Sequence, residues 1–322
     1  MKRARLALAV LGLALAGSLA PAALPGAALA AGRHTVPGTN CTVFPADDIW
    51  NTDVSKLPVH PMSKQWLATM HAGSTLLHPD FGGPPYGLPY QVVSNVTPTR
   101  RVKFYWASES DRVPYPFGPR TPIEGGPHAT GDRHALMVNK DTCVLYELGY
   151  AFWNGGRPKA NAGAVFDLKG YRLRHDTWTS ADAAGLPIFP GLVRYDEVKA
   201  GFIGHAIRFT VDHTRCAHVW PARHDASSLC ASKYPPMGAR FRMKASYSPA
   251  GFGRDARVFI RAFKHYGLIL ADNGSDWYFQ GTEDRRWTNR LLDQLKRIPA
   301  SAFVAVDESG CKIANGSARS SC

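Results

Sequence analysis

No C-x-x-C pair occurs anywhere in the chain, and the part beyond the first thirty residues has no G-x-S-x-G elbow, no phosphate-binding P-loop and no G-x-G-x-x-G following a strand. These gaps count against a zinc ribbon, a serine esterase of the α/β-hydrolase type, a nucleotide hydrolase and a dinucleotide-dependent oxidoreductase. After the first thirty residues no apolar run is long enough to cross a bilayer, so no stable membrane insertion is expected. Lys and Arg are scattered, with no helix-turn-helix, zinc-finger or RNP-like pattern, so no nucleic-acid partner is expected.

The first thirty residues are of a different kind. Lys2, Arg3 and Arg5 precede an Ala/Leu-rich run from Leu6 to Ala20, and Ala28-Leu29-Ala30 places small residues where a signal peptidase reads. Pro21 and Pro25 interrupt the run before it could span a membrane. The expected organisation is a signal peptide at 1–30, a polar leader at 31–42, a β-rich globular domain at 43–308, and a C-terminal tail at 309–322 closed by a disulfide. The expected location is therefore secreted, extracellular or wall-associated. Removing the three basic residues takes the formal net charge from +13 to +10. A basic exported protein suits anionic polymers, although general surface basicity with no partner is also compatible.

Six cysteines remain: Cys41, Cys143, Cys216, Cys230, Cys311 and Cys322. An even count in an oxidising compartment points to disulfides. Of the possible pairings, sequence proximity favours Cys216–Cys230 and Cys311–Cys322, which leaves Cys41–Cys143. His213, His218 and His224 surround Cys216, but their spacing matches no helical metal motif, so neither metal nor cofactor is expected.

With 30 Gly and 24 Pro, short β-like runs alternate with turns, and the fold class expected is mainly β: one two-sheet sandwich or jelly-roll-like domain with a few peripheral helices. Strands are expected at Arg101–Trp106, His134–Val138, Cys143–Phe152, Ala164–Leu168, Leu192–Val198, Gly204–Asp212, Ala239–Ser246 and Leu268–Asp272. Asn273-Gly274 then predicts a hairpin leading into Trp277–Gln280. Helical spacing of apolar residues appears at Ser63–Met70, Arg254–Tyr266 (closed by Gly267) and Thr288–Ile298 (stopped by Pro299).

Five segments resemble a group of secreted proteins of soil actinobacteria: DRHALMVNKDTCVLYEL, SADAAGLPIFPGLVRYDEVKAGFIGHAIRFT, VWPARHDAS, PPMGARFRMKAS and LILADNGSDWYFQG. The likeness runs from about Val43 to Asp307. It implies an exported globular protein and no particular activity, and no catalytic residue is carried over from it.

Two constellations could carry chemistry. If Asn139-Lys140-Asp141-Thr142 closes a symmetric hairpin, Val138 faces Cys143, Leu136 faces Leu145, and His134 faces Glu147, so His134 and Glu147 become a proton-transfer pair. Such a pair is also a common structural ion pair at a sheet margin. The second constellation is Ala239–Ser246, whose alternation sends Ala239, Phe241, Met243 and Ala245 inward and lines up Arg240, Arg242 and Lys244 on the other face, where uronate, sulfate or phosphate groups would fit. A solvated outer face is the plainer account of that row. Arg208 is a further anion contact, while His205 is expected as a satisfied core histidine. Trp220, in a Pro-bounded stretch, offers a sugar-stacking surface, and Trp277 is a core candidate. Glu124, Glu147, Asp196, Glu197 and Asp272 are the acids from which a glycosidase pair could be drawn. The function expected is cleavage of an extracellular polysaccharide, expected to be anionic, by a glycoside hydrolase or polysaccharide lyase. The alternative is a non-catalytic protein that binds cell-wall or other glycans.

Overall fold

The computed structural model describes residues 35–322, so the expected signal peptide lies outside the described residues. The chain is mainly β, built on a six-stranded and a four-stranded sheet with two short ribbons. The large sheet runs, edge to edge, His78–Asp80, Tyr278–Gln280, Ile207–Val211, Leu268–Asn273, Arg240–Met243 and Phe303–Val306. The small sheet runs Tyr90–Val93, Ala135–Asn139, Val144–Gly149 and Ala162–Asp167. One continuous cluster of buried side chains draws Phe209, Phe241 and Leu268 from the large sheet and Leu136, Leu145 and Phe166 from the small one.

Ile207–Val211 lies inside the large sheet and all five of its residues are buried. It pairs parallel with Leu268–Asn273 on one side and antiparallel with Tyr278–Gln280 on the other. The large sheet is therefore mixed, and this parallel pairing of Ile207–Val211 with Leu268–Asn273 needs a long crossover. That crossover contains the helix Arg254–His265, whose stripe Ala256, Phe259, Ile260 and Phe263 is buried as its spacing predicts. Phe263 packs on Phe279 and Phe303 at ring distances of 5.4 and 5.5 Å. This helix covers sheet and is part of the core. Gly267 ends it at φ +66°, where a Cβ would lie 2.4 Å from the Phe241 carbonyl oxygen, so only glycine closes this turn without strain.

Two local expectations fail for tertiary reasons. Asn273-Gly274 does not close a hairpin, because Ile207–Val211 sits between the two strands it was expected to join. The connection passes over the end of that strand: Gly274 N–H donates to the Val211 carbonyl and Trp277 N–H to the Thr210 carbonyl, both at 3.0 Å. The expected core residue Trp277 is fully buried, with its indole N–H on the Met70 carbonyl at 2.8 Å. Leu192–Val198 is not a strand. Tyr195–Ala200 is helical, because the Glu197 carboxylate reaches back to the Arg194 N–H at 2.9 Å and satisfies an otherwise free donor of the first turn.

The three disulfides are Cys41–Cys143, Cys216–Cys230 and Cys311–Cys322, the pairing that proximity favours. The first draws the expected polar leader onto the small sheet, with Val36 and Cys41 buried in the main core. The C-terminal segment is also packed down: Ala318 N–H donates to the Tyr171 carbonyl, and Trp220 reaches the Ser317 carbonyl. Among the described residues no helix is long and apolar enough to cross a membrane.

Candidate functional site

The hairpin expected to pair His134 with Glu147 forms in a different register. Asn139 pairs with Val144, Val138 with Leu145 and Leu136 with Glu147. The turn takes up Cys143, which adopts φ +60° while its side chain is held by Cys41. Glu147 is thereby displaced two residues along the strand from His134. It is fully buried, and both carboxylate oxygens accept from the Ile188 N–H, at 3.0 and 2.9 Å, with Oε1 also taking the Phe189 N–H at 2.8 Å. Burial pushes its carboxyl up to about 7 against those two amides. The position holds the 188–191 turn and does not face the cleft described below.

The carboxylate partner of His134 is Glu124. His134 Nδ1 lies 2.5 Å from Glu124 Oε2, and Nε2 lies 2.9 Å from the Ala181 carbonyl oxygen. Glu124 is held in place because its own N–H donates to the His134 carbonyl at 2.9 Å. Burial lowers the imidazole, but the Glu124 charge and hydrogen bond outweigh it and raise His134 to about 9. Glu124 is itself raised by burial and lowered more strongly by His134, so it ends below the usual carboxylate range. With an acceptor on each ring nitrogen, His134 is a fixed imidazolium at neutral pH and not a free base.

Behind it stands Arg208, fully buried on the central strand of the large sheet. Its Nη2 and Nε bond Asp182 Oδ2 at 2.6 and 3.1 Å, and Nη2 lies 3.8 Å from Asp272 Oδ2. Burial would lower the guanidinium, but Asp182 and Asp272 hold it charged. The small residues beside Arg208 make this packing possible: a Cβ on Gly191 would lie 2.8 Å from the Arg208 Cβ. Arg208 is thus an internal counter-charge, already engaged by carboxylates and not open to an anionic ligand. Asp272 differs from Asp182 in that its side chain is 26% exposed. Burial, followed by the negative charge of Asp182, raises it to about 7, while Arg208 and His134 oppose the rise. Its Oδ1 accepts the Asn273 N–H at 2.8 Å.

His134 and Asp272 line one cleft of about 390 Å³. Its walls include Trp106 and Tyr150, which are 45% and 42% exposed, together with Glu109, Asp132, Asn161 and His224. Glu109 is oriented by the Thr179 N–H on its Oε2 at 3.1 Å. The site therefore combines a carboxyl group that exchanges a proton near neutrality, a buried cation network beneath it, and exposed flat rings beside it.

The cationic row does not meet this cleft. Phe241 and Met243 are buried as alternation predicts, but Ala245 is exposed and the strand ends at Met243. Arg240 faces the opposite way yet is buried too, because that side of the sheet is covered. It bonds the Tyr266 and Ile49 carbonyls and pairs with Glu308 at 3.1 Å. Arg242 bonds the Leu57 carbonyl and the exposed Lys244 the Ser301 carbonyl. Trp220 and Arg240 line a separate cleft of about 370 Å³, so the expected substrate-binding set is divided. Among the other acids, Glu197 binds Arg194 and His205 and falls to about 2, its burial outweighed by the Arg194 charge and the contacts with these two side chains. Asp196 is an exposed partner of Arg286. His205 is a satisfied core residue, as expected. His218 contacts Asp176 and Asp225, while His224 lies against the Ala183 carbonyl.

Sequence reading counted Asp272 among the acids for a glycosidase pair without singling it out, and it overlooked Asp182 and Tyr150. The available signal was the acid beside Asn273-Gly274 itself, one residue beyond a run of four buried apolar positions. Comparison with family models, with curated proteins and with solved structures yields no match for this chain.

Proposed function

We propose that this protein is a secreted glycan-cleaving enzyme that uses Asp272 as its proton donor and acceptor. The carrying observation is the position of that carboxyl group: on the wall of an aromatic-flanked cleft, 3.8 Å from a buried guanidinium already engaged by Asp182. A carboxyl poised near neutrality can protonate a leaving oxygen and then activate water. Trp106 and Tyr150 supply faces for sugar rings, and Glu109, Asp132 and Asn161 supply partners for hydroxyls. Hydrolysis fits better than β-elimination, because the cation nearest the cleft, His134, already donates to a carbonyl and is not free to bind an enolate-like oxygen. Three disulfides accord with an oxidising extracellular setting.

The test is release of reducing ends from a panel of polysaccharides by the purified protein and by Asp272→Asn. Turnover should fall by about 10²–10⁴-fold in the variant with its thermal midpoint little changed. A folded wild-type protein inactive on the whole panel would remove the proposal. A non-catalytic glycan-binding role is favoured instead by the internal pairing of His134, Asp182 and Arg208, which leaves Asp272 without a second committed group. In that case Asp272→Asn changes no chemistry, and only Trp106→Ala and Tyr150→Ala weaken glycan retention.

A further inference from the structure

Arg133 and His134 are neighbours that line different cavities. His134 faces the cleft, whereas Arg133 lines a second hollow of about 480 Å³ with Phe117, Thr121, Phe152, Trp153 and Lys159. Arg133 is 5% exposed, yet no carboxylate lies within ion-pairing distance of it among the described residues. Its Nε donates to the Ala151 carbonyl at 3.1 Å, and Nη1 to the Pro127 and Ala129 carbonyls at 3.0 and 2.7 Å. The guanidinium stacks over the Phe152 ring, 4.1 Å from its centroid. Nη2 has no hydrogen-bond partner among the described residues and is not enclosed by protein. The backbone at Arg133 adopts φ +50°, a left-handed conformation that costs free energy in an arginine and is kept where the surroundings impose it.

A buried cation balanced only by carbonyl dipoles is costly, and an anion in the hollow would neutralise it. A second observation points the same way. Lys159 is directly in register with Lys103 on the ribbon joining Lys103–Phe104 to Lys159–Ala160, and both side chains are exposed. Neither makes an ion pair or a side-chain hydrogen bond among the described residues. Like charges opposed across strands destabilise a sheet unless an anion lies between them. Phe117 and Trp153, packed edge to face at 5.9 Å, add aromatic surface to the same hollow.

From this geometry we infer that the hollow is an acidic-sugar subsite: Arg133 and Lys159, backed by Lys103, take the negative group of a glycan while the aromatic walls take its ring. The negative group is a carboxylate or a sulfate ester, since a single free guanidinium nitrogen and two ammonium groups recognise charge more than shape. A short cluster enclosed by rings suits a sugar acid better than a nucleic-acid strand, which calls for a cationic groove along its whole backbone. The site is independent of proton transfer at Asp272.

The full secreted chain is titrated calorimetrically with a galacturonate oligomer, a sulfated galactan oligomer, an uncharged galactan oligomer and a single-stranded DNA oligomer. One or both acidic glycans should bind, the tighter one identifying the group, and the uncharged glycan should not. Raising the salt from low to 1 M should weaken binding, and Lys103→Gln/Lys159→Gln should weaken it about tenfold or more without unfolding exposed ribbon positions. Arg133→Met should abolish it, with the double lysine variant as the reference should Arg133→Met fail to fold. Asp272→Asn should bind as the wild type does, so a failure of the cleavage proposal leaves this one standing. Absence of acidic-glycan binding, equal binding of the uncharged glycan, insensitivity to the lysine pair, or tighter lysine-dependent binding of DNA would each overturn the inference.

Discussion

His134 Nδ1 meets Glu124 Oε2 at 2.5 Å, ten residues back in the chain, and not the strand-borne Glu147. The imidazole is protonated in the folded state and the carboxylate ionised, which makes the pair a pH-dependent brace between the 121–134 loop and the Ala181 carbonyl.

The stability this brace contributes has a definite pH window. His134 rises from 6.5 to about 9, so its contribution is complete below 6.5 and is lost as the pH climbs through 9. Glu124 is lowered, so its share is present above 4.5 and is lost in acid as the pH falls through its depressed value. Denaturant unfolding of the wild type and His134→Gln should show the largest gap between pH 4.5 and 6.5. The gap should close by roughly 3 kcal/mol toward pH 9, at about 1.4 kcal/mol per pKa unit. A gap independent of pH would mean that His134 is neutral.

Glu147 behaves in the opposite sense to a paired carboxylate. Its folded value of about 7 lies above the ordinary 4.5, so its contribution is fully present below 4.5 and disappears as the pH rises through 7. Glu147→Gln should flatten the wild-type loss of stability across that interval, a loss of up to roughly 3 kcal/mol. It should leave turnover within about threefold, since the group does not reach the cleft. Stability curves and reducing-end assays on the same preparation check both halves. A collapse of turnover in a stable variant would return Glu147 to the chemistry.

Arg240 and Glu308 should depend on each other. Arg240→Met leaves Glu308 buried without its counter-charge and should cost about 3–5 kcal/mol. Adding Glu308→Leu should recover a large part of that loss, because two apolar side chains carry no desolvation penalty. A double-mutant cycle in urea measures the coupling. Additive losses would show that the pair does not act as a unit.

The bridge Cys41–Cys143 closes a separation of 102 residues, against 14 for Cys216–Cys230. Loop-closure entropy then assigns it the larger effect, about 4.7 kcal/mol against about 3 kcal/mol. Cys41→Ser/Cys143→Ser should therefore lower the thermal midpoint more than Cys216→Ser/Cys230→Ser. The reverse order would place the stabilisation in native-state contacts.

Much of this molecule was legible locally. The amphipathic stripe Ala256, Phe259, Ile260 and Phe263 and the inward positions of Phe241 and Met243 rest on separations of a few residues, where helix and strand periods act directly, and the cysteine pairs at separations of 14 and 11 residues rest on proximity in the chain. The mainly β character follows from the same local signals. Tertiary structure alone decided the partners. Asn273-Gly274 carries a strong hairpin preference, but burial of Trp277 and insertion of Ile207–Val211 outweigh a two-residue turn. Arg240 looks like part of a solvated face until distant segments, Ile49 and Glu308, cover it. Glu147 missed His134 because the four-residue turn is shifted by one position, taking in Cys143, which is bonded to a cysteine 102 positions away, and giving Asn139 to the strand. Sidedness is a property of the chain's own period. Which groups a side finally touches depends on loop closure and desolvation over the whole fold, and no local pattern encodes either.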